Sequence, residues 1–331
     1  MALQIIEEMK EQIIGKNRRI VLPEATDKRI LTAAQKIKEE GIITPILLGN
    51  HEEIKKVQDE FGFNLDGIEI RDPETDEKFE EYVEAFVELR KGKATREQAV
   101  EILKDVNYFG TMMVQMGDAD GLVSGAIHTT GDTVRPALQI IKTKPGVSRT
   151  SGVMIMLGKE GEKYLFSDIA INTSLDAQQL GEIAVESART ARVFGINPKV
   201  ALLSFSTRGS AVTPETTKVA EAVKIANEIC EEKGYEFDID GEMQFDAAVS
   251  RTVADLKFPT SKVAGQANVF VFPSLEAGNI GYKIAQRLGG YTAVGPILQG
   301  LNKPVNDLSR GCNSEDVYMT SIVTAAQVRD L

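Results

Sequence analysis

The sequence predicts an α/β protein built from two domains. Short β-rich runs alternate with longer helical stretches along almost the whole chain, which is typical of a mostly parallel sheet with crossover helices. The length of 331 residues suits two domains of ordinary size. A composition break at residues 142–150 (KTKPGVSRT), rich in turn formers and cations, is followed by strands of a different character and marks the domain boundary.

The first half of the chain opens with a strand, a cap and a helix. Residues 19–25 (RIVLPEA) form the predicted strand and Asp27 the cap, and apolar residues spaced by three and four then predict the helix. A second strand is predicted at 45–48 (PILL). A third, at 120–124 (DGLVS), ends in the loop 125–131. Because open α/β sheets bind ligands at the carboxyl ends of their strands, this loop is a candidate site.

The rest of the chain continues the alternation after an interruption. Residues 74–118 read as helices with charged faces and no convincing strand, so we expect a helical insertion in the first sheet. Helices at 177–193 and 214–232 connect the later strands, and the tail from residue 302 reads as a polar loop followed by a helix at 315–328. Six later strands are predicted, at 151–157, 164–168, 200–206, 237–241, 268–273 and 291–298.

Composition and charge exclude several classes of function. The formal net charge of −11 disfavours binding to nucleic acid or to an anionic membrane surface. No apolar run approaches the length of a membrane span, and the charged start MALQIIEEMK does not resemble a signal peptide, so we expect a cytoplasmic protein. With only two cysteines and two histidines, a structural metal site is not expected.

The best-known phosphate and hydrolase motifs are missing from the sequence. It contains neither G-x-x-x-x-G-K-[ST] nor a strand followed by G-x-G-x-x-G, so ATP and NAD lose their strongest sequence support. It also lacks a G-x-S-x-G elbow and a zincin motif, which removes the common hydrolase interpretations.

The densest group of polar residues is the stretch 306–316 (NDLSRGCNSED) ahead of the last helix. It combines a hydroxyl, a guanidinium, a thiol and carboxylates, and such a loop can converge on a ligand. The same residues also suit a helix start, because Asn313 can act as a cap and Asp316 can complete a capping box. Cys312 is a candidate nucleophile, but no histidine lies near it in sequence and a free cysteine is usually a small apolar residue.

A second candidate group is the stretch 124–135 (SGAIHTTGDTVR). Its small residues let a ligand approach backbone N–H groups, and Arg135 lies near the start of the following helix, which suits an anion. Arg135 can equally pair with Asp132 on its own helix face. His128 is more often a hydrogen-bonded loop residue than a catalytic base.

Seven stretches together carry a resemblance to a known family. Over nearly its whole length the chain resembles the phosphate acetyltransferases (phosphotransacetylases) of the phosphate acetyl/butyryltransferase family. The resemblance implies reversible transfer of an acetyl group between acetyl phosphate and coenzyme A, by direct thiolate attack in a ternary complex, without a metal or organic cofactor. The stretches are VLPEATDKR, ADGLVSGAIHTTGDTVRPALQ, FSDIAINTSLDAQQLGEIA, LLSFSTRGSA, DGEMQFDAA, VFPSLEAGNIGYK and GPILQGLNKPVNDLSRGCNSEDV.

The resemblance also implies roles for individual residues. Asp316 matches the base that takes the thiol proton, Ser309 the hydroxyl beside the thiol and the acyl carbonyl, and Arg310 the residue that holds the departing phosphate. Arg135 corresponds to a second cation on the phosphate side. Arg90 corresponds to a contact with the phosphates of coenzyme A, although its Lys-rich context also suits a solvated helix end.

The family architecture implies two three-layer α/β domains of the isocitrate/isopropylmalate dehydrogenase type, with the active site in an inter-domain cleft, and a homodimer. The first domain is expected to comprise residues 1–145 and 300–331, and the second residues 146–299. Ser124 and Thr130, in the matching stretch ADGLVSGAIHTTGDTVRPALQ, complete the predicted substrate-binding residues.

Three other functions stay open at this stage. A phosphate butyryltransferase shares the loop and the chemistry, but the chain is long for that relative and the match within 74–118 favours the acetyl enzyme. A metal- and nicotinamide-dependent decarboxylating dehydrogenase shares the fold but needs clustered aspartates that we do not find in the sequence. A non-catalytic acyl-CoA or phosphate sensor would bind these ligands without turnover.

Overall fold

The computed structural model describes residues 2–328, which divide into two compact units. The first unit consists of Leu3–Lys144 together with the chain from Leu301 onward, and the second unit is Pro145–Gly300. Residues 1 and 331, which bound the predicted first domain, lie outside the described residues.

The first part of the chain alternates helices and strands, and the helical insertion predicted at 74–118 is confirmed. The last helix of this part continues into one π-helical turn, Ala137–Ile141. In chain order the elements are α1 (Ala2–Ile13), β1 (Arg19–Leu22), α2 (Lys28–Glu40), β2 (Thr44–Leu48), α3 (His51–Phe61), β3 (Glu69–Arg71), α4 (Phe79–Arg90), α5 (Arg96–Leu103), α6 (Val106–Met116), β4 (Gly121–Ser124) and α7 (Thr130–Pro136).

The second unit and the returning tail follow. The predicted helices at 177–193, 214–232 and 315–328 are confirmed to within one residue at each end. The remaining elements are β5 (Ser151–Leu157), β6 (Lys163–Ser167), α8 (Ala177–Val193), β7 (Lys199–Leu203), α9 (Pro214–Lys233), β8 (Asp238–Met243), α10 (Phe245–Val249), α11 (Arg251–Lys257), β9 (Val269–Val271), α12 (Leu275–Arg287), β10 (Thr292–Gln299), β11 (Val305–Asp307) and α13 (Ser314–Gln327).

The sheet of the first unit is parallel throughout. Its strand order is β11-β4-β1-β2-β3. The apolar residues of β1 are fully buried at its centre, and α2 begins where Asp27 accepts the N–H of Arg29 at 2.8 Å. The terminal helix α13 packs against α2 and β4 and so joins the core of the first unit, which it needs because a single helix has no core of its own.

β11 differs from the sequence prediction, which reads this region as a polar loop. The strand has only three residues, follows Pro304 and ends in two polar residues, so it lacks the alternation that marks a strand. Pairing with β4 buries these polar residues, and Asn306 donates to the Thr324 hydroxyl of α13 at 2.8 Å. Tertiary contacts therefore make the strand.

The sheet of the second unit has the order β10-β5-β6-β9-β7-β8. β10 and β6 both pair antiparallel with β5, and the other pairs are parallel. An aromatic group of Phe166, Phe270 and Phe272 lies in its core. Within residues 2–328, no helix combines the length and the apolar character needed to cross a membrane.

Candidate functional site

Two loops leave the same edge of the first sheet, and most of the predicted site residues lie on these loops or directly beside their ends. β4 and β11 run parallel with Ser124 opposite Asp307, so the loops that follow them begin side by side. The Leu308 N–H donates to the Ser124 carbonyl at 2.6 Å. We call residues 125–129 the Gly125 loop and residues 308–313 the Ser309 loop.

Arg29, in the first turn of α2, holds the two loops together. Its guanidinium is oriented by an ion pair with Asp27 at 2.7 Å. It donates to the carbonyl oxygens of Arg310 at 2.9 Å and Cys312 at 3.1 Å in the Ser309 loop, and to that of Ala126 at 2.8 Å in the Gly125 loop. These charge-assisted bonds fix the backbone of both loops.

Glu24, just after β1, holds the Gly125 loop from beneath. Its buried carboxylate accepts the backbone N–H groups of Ala126, Ile127 and His128, each at 2.8 Å, and contacts His128 Nδ1 at 2.9 Å. Burial alone would raise the pKa of Glu24, but the hydrogen bonds from His128, Ile127 and Ala126 lower it overall. The same contact raises the pKa of His128, against the effect of burial. His128 is thus hydrogen-bonded within the loop.

Asp307 lies beneath both loops. Its side chain is 3% exposed and accepts the Thr130 hydroxyl at 2.7 Å. Burial raises the pKa of Asp307 to about 6, and the nearby charge of Glu24 acts in the same direction. Gly125 adopts φ +108, and a Cβ there would lie 2.5 Å from Asp307 Oδ1, so only glycine fits.

Asp316 occupies the third position of α13, where the sequence places a capping box. Its Oδ2 accepts the Asn313 N–H at 2.9 Å, and its own N–H donates to Asn313 Oδ1 at 3.0 Å. The carboxylate is half-buried. The capping prediction is confirmed, and the cap holds this carboxylate at the end of the Ser309 loop.

The side chains of Ser309 and Arg310 are exposed, whereas Cys312 points inward. Ser309 Oγ accepts the Gly311 N–H at 3.3 Å, and the Ser309 carbonyl accepts the Cys312 N–H at 2.8 Å. The Cys312 side chain is 8% exposed, and burial raises the pKa of its thiol, with Arg29 acting in the opposite direction. This burial and the raised pKa favour Cys312 as a small apolar residue over Cys312 as a nucleophile.

Arg135 and Arg90 both lie near Tyr108. Burial raises the pKa of Tyr108, and the positive charges of Arg135 and Arg90 each oppose that rise. The Asp132 carboxylate accepts the N–H and hydroxyl of Thr129 and thereby caps α7. The exposed Arg135 guanidinium forms no ion pair with Asp132 or with any other described residue.

Arg90 borders a cavity of about 560 Å³. The cavity is not uniformly basic, since two glutamates lie on its wall. Its lining is formed by Arg90, Lys93, Ala94, Glu97, Gln98, Glu101, Ile102, Tyr108 and Gln139. In the part of the chain that the structure describes, Arg90 and Arg310 also have no carboxylate partner, so three predicted cationic residues keep their charge available for an anion.

The structure thus brings Ser124, Thr130, Ser309, Arg310 and Asp316 onto two adjoining segments. Ser124 is fully buried below the loop, and the Thr130 hydroxyl is directed to Asp307.

Sequence reasoning missed Glu24, Arg29 and Asp307 as residues that shape the site. Asp307 lies in the polar stretch 306–316 and Glu24 at the end of the predicted strand 19–25, but neither position indicated a role for its carboxylate. Among residues 2–328, no three histidine, cysteine, aspartate or glutamate side chains are grouped so as to hold a metal ion.

Comparisons with known proteins show which family the chain is similar to. The family described as phosphate acetyl/butaryl transferase matches residues 4–325. A phosphate acetyltransferase from Staphylococcus epidermidis is 62% identical over 324 residues, covering 98% of each chain. One from Staphylococcus aureus is 61% identical over 323 residues, again covering 98% of each.

Solved structures give the same result. The EutD phosphotransacetylase from Staphylococcus aureus superimposes with a TM-score of 0.95 at 59% identity, covering 99% of each chain. A phosphotransacetylase from Streptococcus pyogenes gives 0.95 at 55% identity and 98% coverage of each. A branched-chain phosphotransacylase from Enterococcus faecalis, at 19% identity and a TM-score of 0.67 over 94% of this chain and 100% of its own, shares the fold.

Proposed function

The chain belongs to the phosphate acetyl/butaryl transferase family, and we propose that it is a phosphate acetyltransferase. It transfers an acetyl group reversibly between acetyl phosphate and coenzyme A, giving acetyl-CoA and phosphate. The arrangement that supports this most directly is a carboxylate fixed by its own helix, Asp316, at the end of a loop whose exposed Arg310 has no carboxylate partner within the described residues. The thiol requires the carboxylate as a proton acceptor, and the acetyl phosphate dianion requires the cation.

Asp316 acts as the base for the thiol of coenzyme A. A free thiol has a pKa of roughly 8.5 and is mostly protonated at neutral pH, so the sulfur needs a proton acceptor as it attacks. A carboxylate is a weak base for a thiol, and its effect depends on being held in place. The capping box with Asn313 provides that fixed position.

The transfer itself breaks one bond and forms one. The sulfur attacks the carbonyl carbon of acetyl phosphate, the C–S bond forms, and the C–O bond breaks with its electron pair leaving on phosphate. The thiol proton passes to Asp316 and then to the released phosphate or to water. Ser309, exposed on the same loop, donates its hydroxyl to the sulfur or to the developing oxyanion.

Arg310 and Arg135 bind the phosphate. A guanidinium grips phosphate at two points and keeps its charge at all working pH values, so it stabilises the negative charge that grows on the leaving group. Arg90 contacts the phosphates of coenzyme A beside the cavity of about 560 Å³. Ser124 and Thr130 support the loop under the acyl phosphate. This transfer needs no metal and no organic cofactor.

Acetyl is the preferred acyl group in this proposal. The family description covers acetyl and butyryl transfer alike, but the relatives at 61–62% identity are named phosphate acetyltransferases. A value of kcat/KM for butyryl phosphate far above that for acetyl phosphate would favour the butyryltransferase instead.

We also propose that the protein works as a homodimer. Ile280, Ile284 and Leu288 recur at helical spacing on and just beyond α12, and all three are exposed. A stripe of large apolar side chains supports burial against a second copy. The molar mass by light scattering, for the wild type and for Ile284→Glu, tests this. The cytoplasmic location stays a prediction.

Thioester formation tests the function directly. Purified protein, treated with a chelator, is mixed with acetyl phosphate and coenzyme A, and acetyl-CoA and phosphate are measured together. We expect both products in equal amounts. Ligand binding without turnover would favour the sensor, and reduction of a nicotinamide cofactor with a 2-hydroxy acid and magnesium would favour the dehydrogenase.

A further inference from the structure

Asp307 connects the two loops of the site from below. It is the last residue of β11, directly ahead of the Ser309 loop, and its Oδ2 accepts the Thr130 hydroxyl at 2.7 Å. Thr130 is the first residue of α7, and Arg135 lies near the end of the same short helix. Asp307 therefore belongs to the segment that carries Arg310, and its buried carboxylate bonds the segment that carries Arg135.

The surroundings of Asp307 are polar but poorly satisfied. Asp307 Oδ1, Ser124 Oγ and Thr133 Oγ1 are all buried, and none of them has a hydrogen-bond partner among the described residues. Thr133 still lies close enough to oppose the rise in the pKa of Asp307. A buried carboxylate with a single short hydrogen bond is unfavourable for stability, and such groups concentrate at functional sites.

We propose that Asp307 is a positioning residue for the phosphate side of the transfer. Its ionised carboxylate holds the first turn of α7 against the Ser309 loop through Thr130, and this hold sets the spacing between Arg135 and Arg310. Protonation replaces a charge-assisted hydrogen bond by a weaker neutral one and releases the hold. The inference deepens the proposed function and rests on it.

The charged groups around Asp307 define the expected pH dependence. Glu24, after β1, faces it and is itself paired with His128. On α7 the Asp132 carboxylate bonds Thr129, and on α13 the Asp316 carboxylate bonds Asn313. Burial and Glu24 raise the pKa of Asp307 to about 6, so the ionised, holding form is lost as the pH falls through that value. We expect the KM for acetyl phosphate to rise on this acidic side.

The test combines four variants with steady-state kinetics over a pH series. Asp307→Asn removes the charge, Thr130→Val removes the hydroxyl, and Thr130→Ser keeps it. The fourth is the double variant Asp307→Asn/Thr130→Val. The matched control is Asp176→Asn, which makes the same substitution at an aspartate that caps α8 in the second unit. Circular dichroism checks the folding of each protein, and calorimetry with inorganic phosphate measures anion binding without turnover.

We expect Asp307→Asn to raise the KM for acetyl phosphate and the Kd for phosphate roughly tenfold, the effect of losing one charge-assisted hydrogen bond, with an unchanged KM for coenzyme A. In this variant, the rise in the KM for acetyl phosphate as the pH falls through the pKa of Asp307 should disappear. Thr130→Val should act in the same direction, Thr130→Ser should recover most of the loss, and the double variant should be no worse than the worse single variant. The control should match the wild type.

If the wild type is active and Asp307→Asn has the same KM for acetyl phosphate with the same rise at acidic pH, the inference is overturned. Equal behaviour of the Val and Ser variants of Thr130, or additive effects in the double variant, would overturn it as well. If Asp307→Asn does not fold, the Thr130 pair decides between these results. A wild-type protein that forms no thioester would instead refute the proposed function on which the inference rests.

Discussion

Replacing Asp307 by Asn is expected to stabilise the protein at neutral pH. Burial raises the pKa of this carboxyl from 3.8 to about 6 in the folded chain. A folded-state pKa above the unfolded value means that the folded protein binds the proton more tightly. The stabilisation that comes from proton binding at Asp307 is therefore fully present below the unfolded-state pKa, and it is lost as the pH rises through the folded-state pKa.

The two pKa values set the size of the effect. Linkage gives a cost of about 3 kcal/mol for the ionised form near pH 7, and about 1 kcal/mol near pH 4.5. The side chain is 3% exposed, so solvent screens little of this cost. Asn resembles the protonated carboxyl in shape and charge, so Asp307→Asn should raise the free energy of unfolding by about these amounts.

Urea unfolding followed by circular dichroism, for the wild type and Asp307→Asn over a pH series, measures the difference. The stabilisation should grow as the pH rises from acid to neutral. The control Asp176→Asn, at an exposed helix cap, should show a small loss without this trend. A variant that is less stable than the wild type near neutral pH, or a gain that does not change with pH, would contradict the reasoning.

Three further predictions concern the loops. Asp316→Asn keeps an oxygen that can accept the Asn313 N–H but removes the base, so its kcat should fall by about a hundredfold or more while its Tm stays unchanged. Asp316→Ala should lose both activity and some stability, because it also removes the cap. A kcat near the wild-type value in either variant would show that Asp316 is not the base. Arg310→Lys loses the two-point grip, and its KM for acetyl phosphate should rise by about tenfold or more, which an unchanged KM and kcat would contradict. Gly125→Ala should lower the free energy of unfolding by roughly 2 kcal/mol or more, because φ is +108 and the new Cβ would lie 2.5 Å from Asp307 Oδ1. A melting temperature equal to that of the wild type would show that the loop relaxes around the methyl group.

Local patterns in the sequence predict much of this fold. The cap at Asp27 and the apolar spacing after it identify α2, and the capping box of Asn313 and Asp316 identifies the start of α13. Each pattern involves residues within one or two helical turns, so the sequence alone contains both partners. The longer apolar strands of the second unit, such as β5 and β7, are also predicted locally, because their apolar runs stand out in the sequence.

The strand β11 and the long-range contacts that assemble the site lack such patterns. β11 has three residues, and its polar end is buried only because β4 and α13 cover it. Arg29 and Glu24 contact loops that lie about a hundred or more positions away along the chain. A partner at that distance leaves no periodicity or spacing to read, so these roles appear only once the sheet brings the strand ends together.

The way the loops are held explains how the site can keep its charges available. Glu24 and Arg29 bond mainly backbone N–H and carbonyl groups of the Gly125 and Ser309 loops. Glu24 also contacts His128 Nδ1, but Arg29 bonds the backbone carbonyl of Arg310 and not its side chain. Had the loops been fixed through Arg310 itself, a carboxylate would neutralise the cation that the phosphate needs. A backbone clamp fixes the geometry before the substrate arrives and preserves the positive charge for the step in which phosphate departs. Because Arg29 fixes the backbone of both loops, Arg29→Met should raise the KM for acetyl phosphate. An unchanged KM in a folded variant would show that the loops hold their positions without Arg29.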